Sequence, residues 1–247
     1  MDFKKTLLRT TVTGMLDGKA SVSLIDFHPR YTERGKTPEH HVANCARISF
    51  GEMGIRTNSK DDKLISYLAK HNHSSPFEMC NLTFKLVVPR AIAVHILRHR
   101  MGRFNEVSQR YCKVDSDMYS PLKSNVGIRL QNTRNKQCSF KYDVDECMYE
   151  KDRYDKLIRK IKDMEELSRT VHEKYVELLD LGMARESARF YLPQGTYTTL
   201  VMNIDLNNFS KFLALRTSED AQIETRAIAG AMLELAKPLF PITMDRL

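Results

Sequence analysis

Two hydrophobic periods, of two residues and of three to four, mark the chain. Residues 1 to 50 carry short β-type runs such as Ser21-Val22-Ser23-Leu24-Ile25 between turn residues, then a helix-compatible piece around His41 to Ile48. A polar stretch, GEMGIRTNSKDD, separates these from a short helix with Leu64, Ile65 and Leu68 on one face. Between Glu78 and Val88 the apolar positions Leu82, Phe84 and Leu86 recur every second residue, as in a half-buried strand. Pro89 ends that strand and suits the first turn of a helix, predicted to run to Met101 with Gly102 as a left-handed cap.

In the second half the period changes. Ile158, Ile161, Met164, Leu167, Val171, Tyr175 and Leu178 recur at three and four residues, predicting one long amphipathic helix from Asp152 to Leu181, closed by Gly182. A helical stretch broken at Pro193 follows, then a β-prone piece from Tyr197 to Met202. A helix opens near Asp205, a good N-cap, and runs into Arg216 with Leu213 and Leu215 read as core. A last helix spans about Glu219 to Lys237. Residues 113 to 150 show no dominant period and read as an excursion over the surface. Segregated strands and helices without repeats predict an α+β fold, an antiparallel sheet flanked by helices, in one domain over residues 1–247.

Composition narrows the class. With 247 residues and 42% hydrophobic content the chain can bury a core. Its lack of a long apolar run or a secretory leader predicts a cytoplasmic protein with no membrane partner. Five cysteines (Cys45, Cys80, Cys112, Cys138, Cys147) are odd in number and form no Cys-x-x-Cys pair, so reduced thiols and no metal are expected. A net charge of +8 favours anions, but 39 basic residues are interleaved with 31 acidic ones and no basic tail stands out.

The densest chemistry lies in Arg98-His99-Arg100-Met101-Gly102-Arg103-Phe104-Asn105-Glu106-Val107-Ser108-Gln109-Arg110. Basic residues in a last helical turn also complement the helix dipole, which by itself would make Arg98 to Arg100 structural. The following loop offers both donors and acceptors where the chain leaves the helix, and arginine forks suit phosphate oxygens and planar rings. A second segment, His71-Asn72-His73-Ser74-Ser75-Pro76-Phe77-Glu78, pairs two histidines without a third ligand and reads first as a helix stop followed by a turn. A third gathers polar residues from Arg189 through Asn203, Asp205 and Asn207 to Arg216, beside apolar ones, as a pocket lining would. No Gly-x-Gly-x-x-Gly or P-loop is present, and Ser108 lacks the context of a hydrolase nucleophile.

Arg98-His99-Arg100, seven residues and then Ser108 resembles the signature of the flavin-dependent thymidylate synthases. The stretches Cys45–Phe50, His73–Glu78, Arg189–Pro193 and Leu213–Glu224 resemble further segments of that family, in family order. The resemblance implies reductive methylation of dUMP to dTMP, with FAD as cofactor, 5,10-methylenetetrahydrofolate as carbon donor and NADPH as reductant. It also implies a homotetramer with active sites shared between subunits and no nucleic-acid partner. Carried over by position, FAD would be held by Ser49, Ser75, Glu78, Arg98, His99, Arg100, Met101, Glu106, Asp205, Asn207 and Lys211. The nucleotide dUMP would be held by His95, Arg98, Glu106, Val107, Ser108, Gln109, Arg110, Arg189 from a neighbouring subunit, and Arg216. Arg216 would be catalytic, facing the uracil edge, and no cysteine attacks the ring. Cys112 therefore reads as a small, partly buried hydrophobe.

The chain departs from the family pattern at His95, commonly Gln, at Met79, often His, and at Asp220, frequently His. Two alternatives stay open from sequence: a related flavin and folate enzyme giving a hydroxymethylated pyrimidine nucleotide, and a basic nucleic-acid-binding protein.

Overall fold

The computed structural model describes residues 10–30, 36–51, 60–142 and 151–245. Most of the polar stretch before the first predicted amphipathic helix and Cys147 lie outside the described residues. Strands β1 (Thr11–Met15), β2 (Ala20–His28), β3 (Asn81–Pro89), β4 (Arg103–Glu106) and β7 (Tyr197–Asp205) form one antiparallel sheet in the order β1-β2-β3-β7-β4. A separate two-stranded ribbon pairs β5 (Arg129–Gln131) with β6 (Ser139–Lys141).

The period-two positions do what their spacing demands. Leu82, Phe84, Leu86 and Val88 of β3 and Leu200, Met202 and Ile204 of β7 are buried, while Thr83, Lys85, Thr199 and Val201 face the more open side. Helices α4 (Arg90–Leu97), α7 (Leu206–Arg216) and α8 (Ile223–Ala236) complete one core with that buried face. Further elements are α1 (His40–Ile48), α2 (Asp61–Lys70), α3 (Ser75–Glu78), α5 (Lys151–Asp180), α6 (Arg185–Ala188) with a 3-10 turn over Arg189–Tyr191, and α9 (Pro241–Met244). Buried Glu39 accepts the Ile242 and Thr243 amides at 2.8 and 2.6 Å, tying the start of α9 to α1.

Helix α7 opens as its N-cap residue predicts. Asp205 is extended, and its Oδ1 accepts the Asn208 amide at 2.9 Å. Phe209, Phe212 and Leu213 are buried, but Leu215 is 61% exposed: one residue before Arg216 it falls on the outer face of the helix, not in the core. In β7 the strand continues three residues beyond Met202 because it pairs with β3 along its whole length.

Three more expectations change. Helix α4 ends at Leu97 rather than Met101, since the chain must turn at once to enter β4 beside β7. Gly102 has no left-handed φ; a Cβ there would meet the Phe104 ring at 2.7 Å, so close approach and not handedness favours glycine. Gly182, by contrast, does close α5 at φ +91°. On α5 only Tyr175 of the predicted stripe is buried, while Met164 and Leu167 are more than half exposed, because among the described residues nothing closes over that part of the face. The described part of the surface excursion, 113–142, is tied to the body of the protein. The Val114 amide donates to Tyr175 Oη at 3.2 Å, Met118 bridges to Thr196, and the Ser120 amide donates to Asp17 at 2.9 Å.

Candidate functional site

The chain brings its predicted site residues together in three places. The first lies where the C-terminal ends of α4 and α7 meet α8. Arg216 Nε donates to His99 Nε2 at 2.7 Å, so that nitrogen is unprotonated and the ring proton sits on Nδ1. The imidazole packs edge-on against Phe212, centroids 4.7 Å apart, and Phe212 stacks beside Phe209, which packs on Phe84 of β3. The cation is thus held by a ring fixed to the sheet through a column of buried aromatics. Burial, with help from Arg216 and His95, pushes His99 down to about 4, and burial also lowers Arg216 from its usual value. His95, one turn before His99, places Nδ1 3.1 Å from the hydroxyl of fully buried Thr225, and it too is shifted toward its neutral form, by burial first and then by Arg216.

Arg98 caps α4 and is exposed, as are Arg100 and Met101 in the turn that follows; among the described residues no carboxylate pairs with either arginine. Two guanidinium groups on a turn beside the Arg216–His99 pair can grip phosphate oxygens or the face of a planar ring.

The second place is the end of β4. Glu106 accepts Arg90 Nη1 and, at 2.9 Å, the Thr198 hydroxyl. Beyond it the chain turns at Ser108, whose Oγ accepts the Arg110 amide at 3.3 Å. Val107 and Gln109 line a cavity of ≈ 200 Å³ with Tyr197, Thr198 and Thr199. Cys112 lines it as well and is exposed rather than partly buried, because the turn carries it off the sheet edge. Arg110 pairs with Glu186 of α6, Nη2 to Oε2 2.8 Å, which brings the Ser108 turn to the segment that carries half-buried Arg189.

The third place is the contact of α3 with α7. Asn207 Nδ2 donates to Glu78 Oε1 at 3.1 Å, and a cavity of ≈ 260 Å³ beside them is lined by His73, Ser74, Phe77, Asn207, Ser210 and Lys211 among others. Ser75 is exposed on α3, and Ser49 is exposed at the end of α1, which packs on α3. Asp205 spends both carboxylate oxygens on Asn208, the second at 2.7 Å to its side chain. These bonds are those of a cap.

Sequence reasoning missed Arg90, Thr198, Glu186 and Thr225. Arg90 carried a signal: a cation in the first turn of a helix opposes the dipole and calls for an acidic partner, here Glu106. The others are ordinary residues until the fold supplies their neighbours. Among the described residues no group of three His, Cys, Asp or Glu side chains gathers as metal ligands, and no helix is long and apolar enough to cross a membrane.

A desolvated arginine backed by a neutral imidazole, next to an arginine-bearing turn and a carboxylate-anchored loop, defines a site for an anionic, ring-bearing ligand. The comparisons with known proteins are of one kind. A sequence model described as thymidylate synthase complementing protein matches residues 30–242. The flavin-dependent thymidylate synthase of Dictyostelium discoideum is 34% identical over 224 residues, 91% of this chain and 70% of that protein. That of Thermus thermophilus is 36% identical over 201 residues, covering 81% and 68%. A crystal structure of a UMP/dUMP methylase PolB from Streptomyces cacaoi, bound with 5-Br UMP, superposes with a TM-score of 0.72 at 26% identity, covering 92% of each chain. The chain belongs to the flavin-dependent thymidylate synthase family, and is thereby an enzyme whose cofactor is FAD.

Proposed function

We propose that the protein methylates dUMP to dTMP, taking the carbon from 5,10-methylenetetrahydrofolate and using NADPH to reduce its FAD, in the cytoplasm and as a homotetramer of single-domain chains. The observation that carries this reading is the Arg216–His99 pair at the Arg-His-Arg turn. A fixed cation beside a pyrimidine edge stabilises negative charge on the ring as C5 becomes nucleophilic, and its preset position avoids reorganisation at the moment of reaction.

The residues present fit a flavin. Arg98, Arg100 and Lys211 are exposed cations for a pyrophosphate, and Glu78, Asn207, His73 and Ser74 line or adjoin a cavity with donors and acceptors for a polar ring system. Ser49, Ser75, Met101 and Asp205 complete that assignment by position. Reduced flavin supplies the hydride when bound. His99 serves by orienting Arg216, with its own Nε2 occupied as acceptor. On the nucleotide side, Ser108, Gln109 and Arg110 supply donors, Val107 a hydrophobic contact, and Arg189 a further cation. His95, held neutral, offers a hydrogen bond rather than a charge. Glu106 keeps the loop in place through Arg90 and Thr198.

The test is direct. The purified chain is expected to bind FAD with a flavin absorbance and to convert dUMP to dTMP when supplied with methylenetetrahydrofolate and NADPH. Failure to bind added FAD overturns the reading, and 5-hydroxymethyl-dUMP in place of dTMP replaces it with the hydroxymethylating alternative.

A further inference from the structure

We propose that the β5–β6 ribbon is a positioning strap for Arg216, acting through Asp220; this rests on the reading in which Arg216 carries the chemistry. Asp220 stands four residues beyond Arg216, in the turn between α7 and α8. Its Oδ1 accepts the Cys138 thiol at 3.1 Å and Asn135 Nδ2 at 3.4 Å, both from the tip of the ribbon.

The tip is ordered by its own bonds before it docks. Asn132 Oδ1 accepts the Arg134 and Asn135 amides at 2.8 and 3.0 Å, Asn135 Oδ1 accepts the Gln137 amide at 3.0 Å, and Gln131 Nε2 donates to the carbonyls of Asn132, Lys136 and Cys138. A preformed turn loses little freedom on docking, so a few polar contacts suffice to hold it. The ribbon needs such an anchor. Two short strands are marginal alone, and every residue of β6 is exposed.

The far end of the excursion is fixed to the body of the protein. The Asn125 amide donates to the Leu16 carbonyl at 2.8 Å and Ser120 is tied to Asp17. A segment anchored on the β1–β2 turn at one end and on Asp220 at the other limits how far the α7–α8 turn can travel. That turn directly continues the helix whose last residue, Arg216, must keep Nε on His99. The Asp220 carboxylate also raises the Cys138 thiol above its usual value by accepting its hydrogen bond, which makes the thiol a reporter of docking.

The experiment uses the full chain with FAD. In Asn135→Ala/Cys138→Ala, turnover at saturating dUMP is expected to fall at least fivefold while flavin absorbance and the melting midpoint stay unchanged. Cys138→Ser, which keeps an O–H donor for Asp220, should restore the wild-type rate. A double variant within twofold of wild type, or one whose rate loss tracks a lowered midpoint, overturns the strap. Independently of activity, alkylation of Cys138 by iodoacetamide, resolved by peptide mass from the exposed Cys112, should be several-fold slower in the wild type than in Asp220→Ala. Equal rates overturn the docking contact. If the wild-type chain makes no dTMP, the methylation reading fails, and the alkylation rates still decide the contact.

Discussion

At the scale of single residues, Arg216 and His99 were placed by their motif, but their relation to each other was not legible. They lie 117 positions apart, and only the fold, which sets the turn after α4 against the last turn of α7, makes one the donor and the other the acceptor. Arg216→Ala is expected to abolish dTMP formation while circular dichroism and flavin absorbance remain; near-normal turnover would contradict its role. Protonation of His99 would remove the lone pair that Arg216 uses and set two cations against each other. The folded ring titrates near 4 and the unfolded one near 6.5, so between those values the unfolded chain takes up a proton that the folded chain refuses. The stabilisation from a neutral His99 is therefore fully present above about pH 6.5 and is lost as pH falls through about 4. Melting midpoints measured from pH 7 to 4 should drop more steeply for the wild type than for His99→Gln, and parallel curves would refute the assignment. Turnover should likewise hold to about pH 5, below the usual imidazole range.

Among the elements, β3, α5 and α7 were legible from strong local signals: the alternation Leu82-Phe84-Leu86, whose burial on one face dictates a strand, the three-four spacing of α5, and the Asp205 cap of α7. Their ends were less legible. Helix α4 stops early because β4 must pair with β7, a constraint located a hundred residues downstream. The β5–β6 ribbon escaped notice because its strands are three residues long and their side chains are largely solvated, leaving no hydrophobic alternation to detect. Asp205 illustrates a residue with two readings, flavin contact and cap. The cap makes a definite prediction. Asp205→Ala should cost about 1 kcal/mol, lowering the melting midpoint by about 2–4 °C for a chain of this size. Asp205→Ser should recover most of that loss. If Asp205→Ala instead leaves the midpoint unchanged and weakens FAD binding, the carboxylate serves the cofactor rather than the helix.

For the whole molecule, the predicted flavin and nucleotide residues are divided among the Arg216–His99 contact, the β4 loop and the α3–α7 cavity. The stripe on α5 meanwhile leaves Met164 and Leu167 exposed. Both features would have one explanation in the proposed homotetramer, where a second chain would cover the stripe and complete the site with residues that the first holds elsewhere. Sequence periodicity marks such a face as apolar but cannot say whether its cover lies in the same chain. Arg189 separates the possibilities: it follows the α6 helix that binds Arg110, and none of the contacts of the Arg216–His99 pair described above involves it. If Arg189 serves a neighbour's nucleotide, Arg189→Ala and Arg216→Ala remove functions contributed by different chains to one site. Each variant alone should then be nearly inactive. Refolding the two together should produce some sites that draw an intact Arg189 from one chain and an intact Arg216 from the other, restoring a minority of wild-type turnover in particles that light scattering sizes as tetramers. No recovery in correctly sized mixed tetramers would mean that each chain builds its nucleotide site from its own Arg189.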